Sequence, residues 1–199
     1  MKNNPRFALL ISGSLNILMW FVELIASLFA WSAALFIDSL DFFVDGVNYF
    51  SSIYLLKKSK KLQEKIGKIK WHFMIWAGGL VFVWIFYKLF YGWTPRGEVM
   101  STVGILALAV NLLSTWLLQK FQNNSLDLRA VWLCTRNDAI GNILIIVAGY
   151  FTLAFHSIYP DIIVSILIGY LALRSGISIV RSGGDNCHNH CHTDVSLNS

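Results

Sequence analysis

The chain has 199 residues, 56% of them hydrophobic and only 14% charged, with a mean hydropathy of +0.58. Soluble domains ordinarily carry about 25% charged residues, so this balance excludes a purely water-soluble protein. The formal charge of +5 does not indicate a nucleic-acid partner, because the Lys residues cluster between apolar runs instead of interleaving with aromatics.

Apolar runs of roughly 20 residues, each able to cross a hydrocarbon layer about 30 Å thick, recur along most of the chain. They predict an all-α polytopic membrane protein with six transmembrane helices near 8–29, 33–56, 71–91, 99–120, 130–154 and 159–180. Lys2 and Arg6 precede the first span. That start resembles a signal peptide, but further spans follow in any case, and it is read as retained. Lys57, Lys58, Lys60, Lys61, Lys65, Lys68 and Lys70 follow the second span, Lys120 and Arg129 the fourth, and Arg181 the sixth. Short cytoplasmic loops carry the positive excess, so both termini and the Lys-rich loop are expected in the cytoplasm. Trp71, Trp76, Tyr87, Tyr91 and Trp93 flank the third span as interfacial anchors, and His72 and His156 fall at span ends. Gly13, Gly78, Gly79, Gly104, Gly141, Gly149 and Gly169 lie within spans, where small residues let helices approach closely. The chain thus divides into a transmembrane domain, 1–182, and a flexible Cys/His-rich cytoplasmic tail, 183–199.

An ionisable group at the centre of a bilayer helix costs about 2.5 kcal/mol or more, so it ordinarily faces a cavity, a partner or a transported ion. In the second span Asp38, Asp41, Asp45 and Asn48 recur at steps of three or four and share one helical face. No basic residue lies within that span, which makes a cation the natural partner of three mutually repelling carboxylates. In the fifth span Cys134, Asp138 and Asn142 repeat the spacing. Residues four apart on a helix hold their Cβ atoms about 5–6 Å apart, which suits two bonds of roughly 2.0–2.3 Å to one tetrahedral metal. Two such pairs on facing helices supply four ligands. The structural alternative is that Asp41, Asp45 and Asp138 pair with Arg136 or hydrogen-bond to other helices. Asn16 and Glu23 lie seven apart on one face of the first span, and Asp161 opens the sixth; a structural polar contact and an ion path fit them equally.

These residues resemble the cation diffusion facilitator, or cation efflux, family over roughly residues 7–182. Ile37 to Asp45 is similar to that family's Asp-Ser-x-(His/Asp)-x-x-x-Asp motif, and Cys134 to Asp138 stands where the family has His/Asp-x-x-x-Asp. The resemblance implies a metal set of Asp41, Asp45, Cys134 and Asp138, with Asp38, Asn48, Asn142 and Asp161 as supporting polar groups. It also implies homodimerisation and a place in the inner cell membrane. Cys134 departs from the usual pattern with a softer thiolate; zinc suits an Asp, Asp, Cys, Asp set and ranks first, while the thiolate would also welcome cadmium or lead, with cobalt a further alternative. After about residue 182 too few residues remain for the folded cytoplasmic domain that many members carry. The tail instead holds Cys187, His188, His190, Cys191 and His192, a tract of the kind that binds metal, or an unstructured end with incidental ligands. The three cysteines build no disulfide framework.

The expected function is export of a divalent metal ion from the cytoplasm by proton antiport, with no cofactor besides the transported ion and no nucleic-acid partner. Metal needs deprotonated ligands, so binding it displaces protons and couples the two flows. A membrane-anchored metal sensor is the alternative, in which the tail binds metal. An acidic channel would conduct without proton coupling. An intramembrane thiol enzyme lacks an accompanying histidine base.

Overall fold

The computed structural model describes residues 5–55, 72, 76, 79–80, 82–88, 90–91, 93–121 and 126–181, and at 5, 54–55, 126–134, 136–137 and 171–181 the backbone alone. The described residues form six helical segments and no strand. They are α1 (Pro5–Ala30), α2 (Ala33–Leu55), α3 (helical at 72, 76, 79–80, 82–88 and 90–91), α4 (Gly97–Gln119), α5 (Leu126–Phe155) and α6 (Tyr159–Arg181). Each overlaps its sequence-predicted span, with ends displaced by no more than four residues. Arg6–Ala30, Gly97–Gln119 and Asp138–Phe155 are long and apolar enough to cross a membrane unaided, and Tyr159–Tyr170 is a shorter apolar stretch. α2 has the length, but its central stretch contains Asp38, Asp41 and Asp45.

Local chemistry sets several of the ends. Proline occupies the first position of α1 and the second of α6, where its missing N–H costs little. Ser32 caps α2, its hydroxyl accepting the N–H of Leu35 at 3.1 Å. α1 stops at Ala30 because Trp31 adopts a left-handed φ of 54°, and His156 (φ 48°) ends α5 in the same way. Arg96, just before α4, donates its backbone N–H to Ala30 O at 2.9 Å, joining the far end of α1 to the start of α4.

α1 packs along α2 and α4 along α5; α1 also lies against α4, α5 against α6, and α2 against α6 and α5. The interior combines small and mid-sized apolar side chains such as Ala33, Ala34, Leu35, Met100, Ala107, Ile145 and Ala148 with many buried polar groups. The outer surface carries Phe7, Leu18, Phe29, Phe86, Phe90, Trp116, Tyr150 and Phe155, all half or more exposed. A polar-seamed interior beneath an aromatic and aliphatic surface suits a hydrocarbon solvent.

Some of the glycines mark the closest approaches. A Cβ at Gly97 would stand 2.3 Å from Gly149 O, and one at Gly149 would stand 2.5 Å from Ser101 Oγ, so α4 and α5 cross at backbone contact. Gly13, Gly104 and Gly169 also face neighbouring side chains within 3.2 Å, as expected of small interface residues. Gly79 and Gly141 do not: each opens onto free space, while Gly46, against Ile17, takes a packing role the spacing did not indicate. Gly78 lies outside the described residues.

Candidate metal site

α2 and α5 pass each other in opposite directions. Tyr49 of α2 and Thr135 of α5 share a hydrogen bond between their hydroxyls, both fully buried. One turn further along each helix, the carboxyl groups of Asp45 and Asp138 come into hydrogen-bonding contact. At about 1.5 Å rise per residue, Asp41 then stands level with Asn142. The i, i+4 spacing read from each helix therefore becomes two facing columns: Asp41 and Asp45 on α2, and Asp138 and Asn142 on α5.

Asp41, Asp45, Asn48 and Asp138 are each partly exposed along this face, whereas Asn142 is fully buried. Asp138 Oδ2 and both side-chain polar atoms of Asn142 meet no hydrogen-bond partner. Buried polar atoms are nearly always satisfied, so these unpartnered atoms set this face apart from ordinary helix packing. Among the described residues, no three His, Cys, Asp or Glu side chains converge on one point with metal-ligand geometry. Cys134 is placed one turn before Asp138 on the backbone of α5, but its side chain is not among those described.

The other sequence-indicated groups fall in distinct places. Asp38 is buried one turn before Asp41 and neighbours Glu23 of α1, so Glu23 belongs to the same acidic interior and its spacing alone did not show that. Asp161 is at the opposite end of α2 from Tyr49. It accepts hydrogen bonds from Ser32 Oγ (2.7 Å) and from the backbone N–H groups of Ala33 (3.0 Å) and Ala34 (3.1 Å), and pairs with Lys88 of α3. A carboxylate so engaged is a cap and counter-ion at the start of α2, about 12 Å along the axis from Asp41. Sequence reading passed over Lys88. The signal was available, since it is the lone basic residue within the third predicted span. His72 and His156 are exposed, in keeping with positions at span ends. Cys187, His188, His190, Cys191 and His192 lie outside the described residues.

The sequence matches the cation efflux transmembrane domain over residues 9–186. Over 84 residues it is 31% identical to the cadmium, cobalt and zinc/H(+)-K(+) antiporter of Bacillus subtilis, covering 41% of this chain and 27% of that protein. Over 108 residues it is 29% identical to the protein of the same name from Bacillus velezensis, covering 51% of this chain and 34% of the relative. The matched part thus spans about a third of the length of these curated relatives.

Proposed function

The chain belongs to the cation efflux family, and from that membership and the acidic face between α2 and α5 we propose that it carries a divalent transition-metal cation across a membrane by proton antiport. The observation that carries the proposal is the pairing of the Asp41–Asp45 column with Asp138, whose buried Oδ2 has no protein donor. Asp41, Asp45, Cys134 and Asp138 are the proposed ligands. Asp38, Asn48 and Asn142 support them within the acidic interior, and Asp161 acts through the position of α2.

Metal enters from the cytoplasm, where the positive-inside pattern places both termini, and leaves on the other side as the helix pairs rock about the site. Carboxylates and a thiolate must lose protons to bind metal, so protons entering from outside displace it. Zinc ranks first, then cadmium and cobalt, with the names of the Bacillus relatives supporting that set. Lead remains an alternative on ligand softness. We place the protein in the inner cell membrane as a homodimer, its residues 1–182 forming the transport domain and its Cys/His tail gathering metal.

The test is reconstitution in vesicles with an imposed pH gradient, followed by zinc, cadmium and cobalt uptake. Gradient-dependent flux by the wild type and its loss in Asp45→Ala are expected. Metal binding without any flux would return the membrane-anchored sensor.

A further inference from the structure

Glu23 of α1 is fully buried, and neither of its carboxyl oxygens meets a hydrogen-bond donor. The group it touches is Asp38, itself 3% exposed, whose Oδ2 is also without a donor. Ionised carboxylates only accept hydrogen bonds, so two of them in contact require a positive species between them. No side chain supplies it among the described residues. From α2, Asp41 acts on Glu23 and Asp45 on Asp38, both acidic, and Asp138 of α5 adds to the same field. Arg6 of α1, Arg96, and Glu98 and Lys120 at the ends of α4 are exposed, and Lys88 of α3 is held by Asp161 of α6.

A second set of groups, none of them acidic, leads to this pair. Ser12 and Asn16 on α1 and Asn111 and Ser114 on α4 are all buried, and each has a side-chain oxygen with no hydrogen-bond partner. The Arg96–Ala30 bond sets the two helices antiparallel. Measured down from it at about 1.5 Å per residue, Asn16 and Asn111 both stand roughly 21–23 Å along, and Ser12 and Ser114 about 27 Å. Glu23 lies two turns above Asn16 on the same face of α1. Ser12 and Asn16 therefore continue the face of α1 that carries Glu23 towards the end at which the chain begins, with Asn111 and Ser114 at matching depths on α4. Hydroxyl and amide groups both donate and accept, as a path for protons requires.

We propose that Glu23 and Asp38 form the counter-ion site of the transporter, a proton held between two carboxyl groups and apart from the metal ligands, and that Ser12 and Asn16 on the same face of α1 lead from it to the side on which the chain begins. This rests on the antiport reading above. A proton bound from the far side is shared by the two carboxyls and leaves along that face of α1, in addition to the protons that the metal displaces from its ligands.

The test uses the full chain in vesicles containing a pH-sensitive dye, with zinc as the probe, together with zinc titration in detergent. Glu23→Gln is expected to bind zinc as the wild type does and to let zinc run down its own gradient. It should release fewer protons per zinc than the wild type and concentrate zinc less under an imposed pH gradient. Glu23→Asp should restore coupling, and Asn16→Leu should slow proton exchange without altering zinc affinity. Proton release per zinc and accumulation at the wild-type level in Glu23→Gln would overturn the proposal, as would loss of zinc binding by a monodisperse variant, which would make Glu23 a ligand. If Glu23→Gln is not monodisperse, Glu23→Met is read by the same two outcomes. A wild type that moves no zinc overturns the antiport reading itself, and the site with it.

Discussion

Asp138 and Cys134 differ in what they bring to a metal. A carboxylate with a buried, unpartnered oxygen has already lost water without gaining a protein donor, so its interaction with a cation is strong. Asp138→Ala is expected to weaken metal affinity by at least about a hundredfold, beyond the 10–100-fold typical of groups that only orient a ligand; calorimetric titration of the detergent-solubilised protein checks this. Exchanging the thiol for an imidazole in Cys134→His should move preference from cadmium towards zinc, read as the ratio of their affinities, because thiolate is the softer ligand. An unchanged ratio would remove Cys134 from the ligand set. Tyr49 and Thr135 hold α2 and α5 together just beyond the acidic face. Tyr49→Phe should cost about 0.5–1.5 kcal/mol in a denaturation series, the net worth of one buried hydrogen bond.

Asp161 acts on a whole element. It receives three donors from the start of α2 besides the Lys88 ammonium, so its removal uncaps that helix and also leaves a buried cation. Asp161→Ala should destabilise by about 3–5 kcal/mol, the cost of breaking a buried pair from one side. Lys88→Met should cost distinctly less, because Asp161 keeps its other donors and the alkyl stem is replaced by a similar volume. Equal losses in the two melting temperatures would refute this division of roles. The α4–α5 crossing depends on the absence of side chains at two positions, where a Cβ would meet Gly149 O at 2.3 Å or Ser101 Oγ at 2.5 Å. Gly149→Val is expected to separate the helices and lower stability by roughly 1–3 kcal/mol or more, whereas Gly141→Ala, opening on free space, should be silent.

At the scale of the molecule the orientation is testable in intact cells. In a background with Cys134, Cys187 and Cys191 replaced by Ser, Thr94→Cys between α3 and α4 should react with an impermeant maleimide from outside. Lys120→Cys, at the end of α4, should react only after permeabilisation. The reverse pattern would invert the proposed direction of transport.

The sequence by itself determined the spans and the spacing of the polar groups within them, because both are local. About 20 apolar residues suffice to define a helix across a bilayer, and residues three or four apart share a face whatever surrounds them. Asp38, Asp41, Asp45, Asp138 and Asn142 share their helical faces in that way. Which helices meet, and by which faces, was decided only by tertiary packing. Lipid and protein interior are similarly apolar, so hydropathy does not tell a buried face from a lipid-facing one. For that reason Glu23 emerged as the neighbour of Asp38 only in the folded bundle, Asp161 became a cap, Lys88 acquired a partner, and Gly97 rather than Gly141 marked a helix crossing.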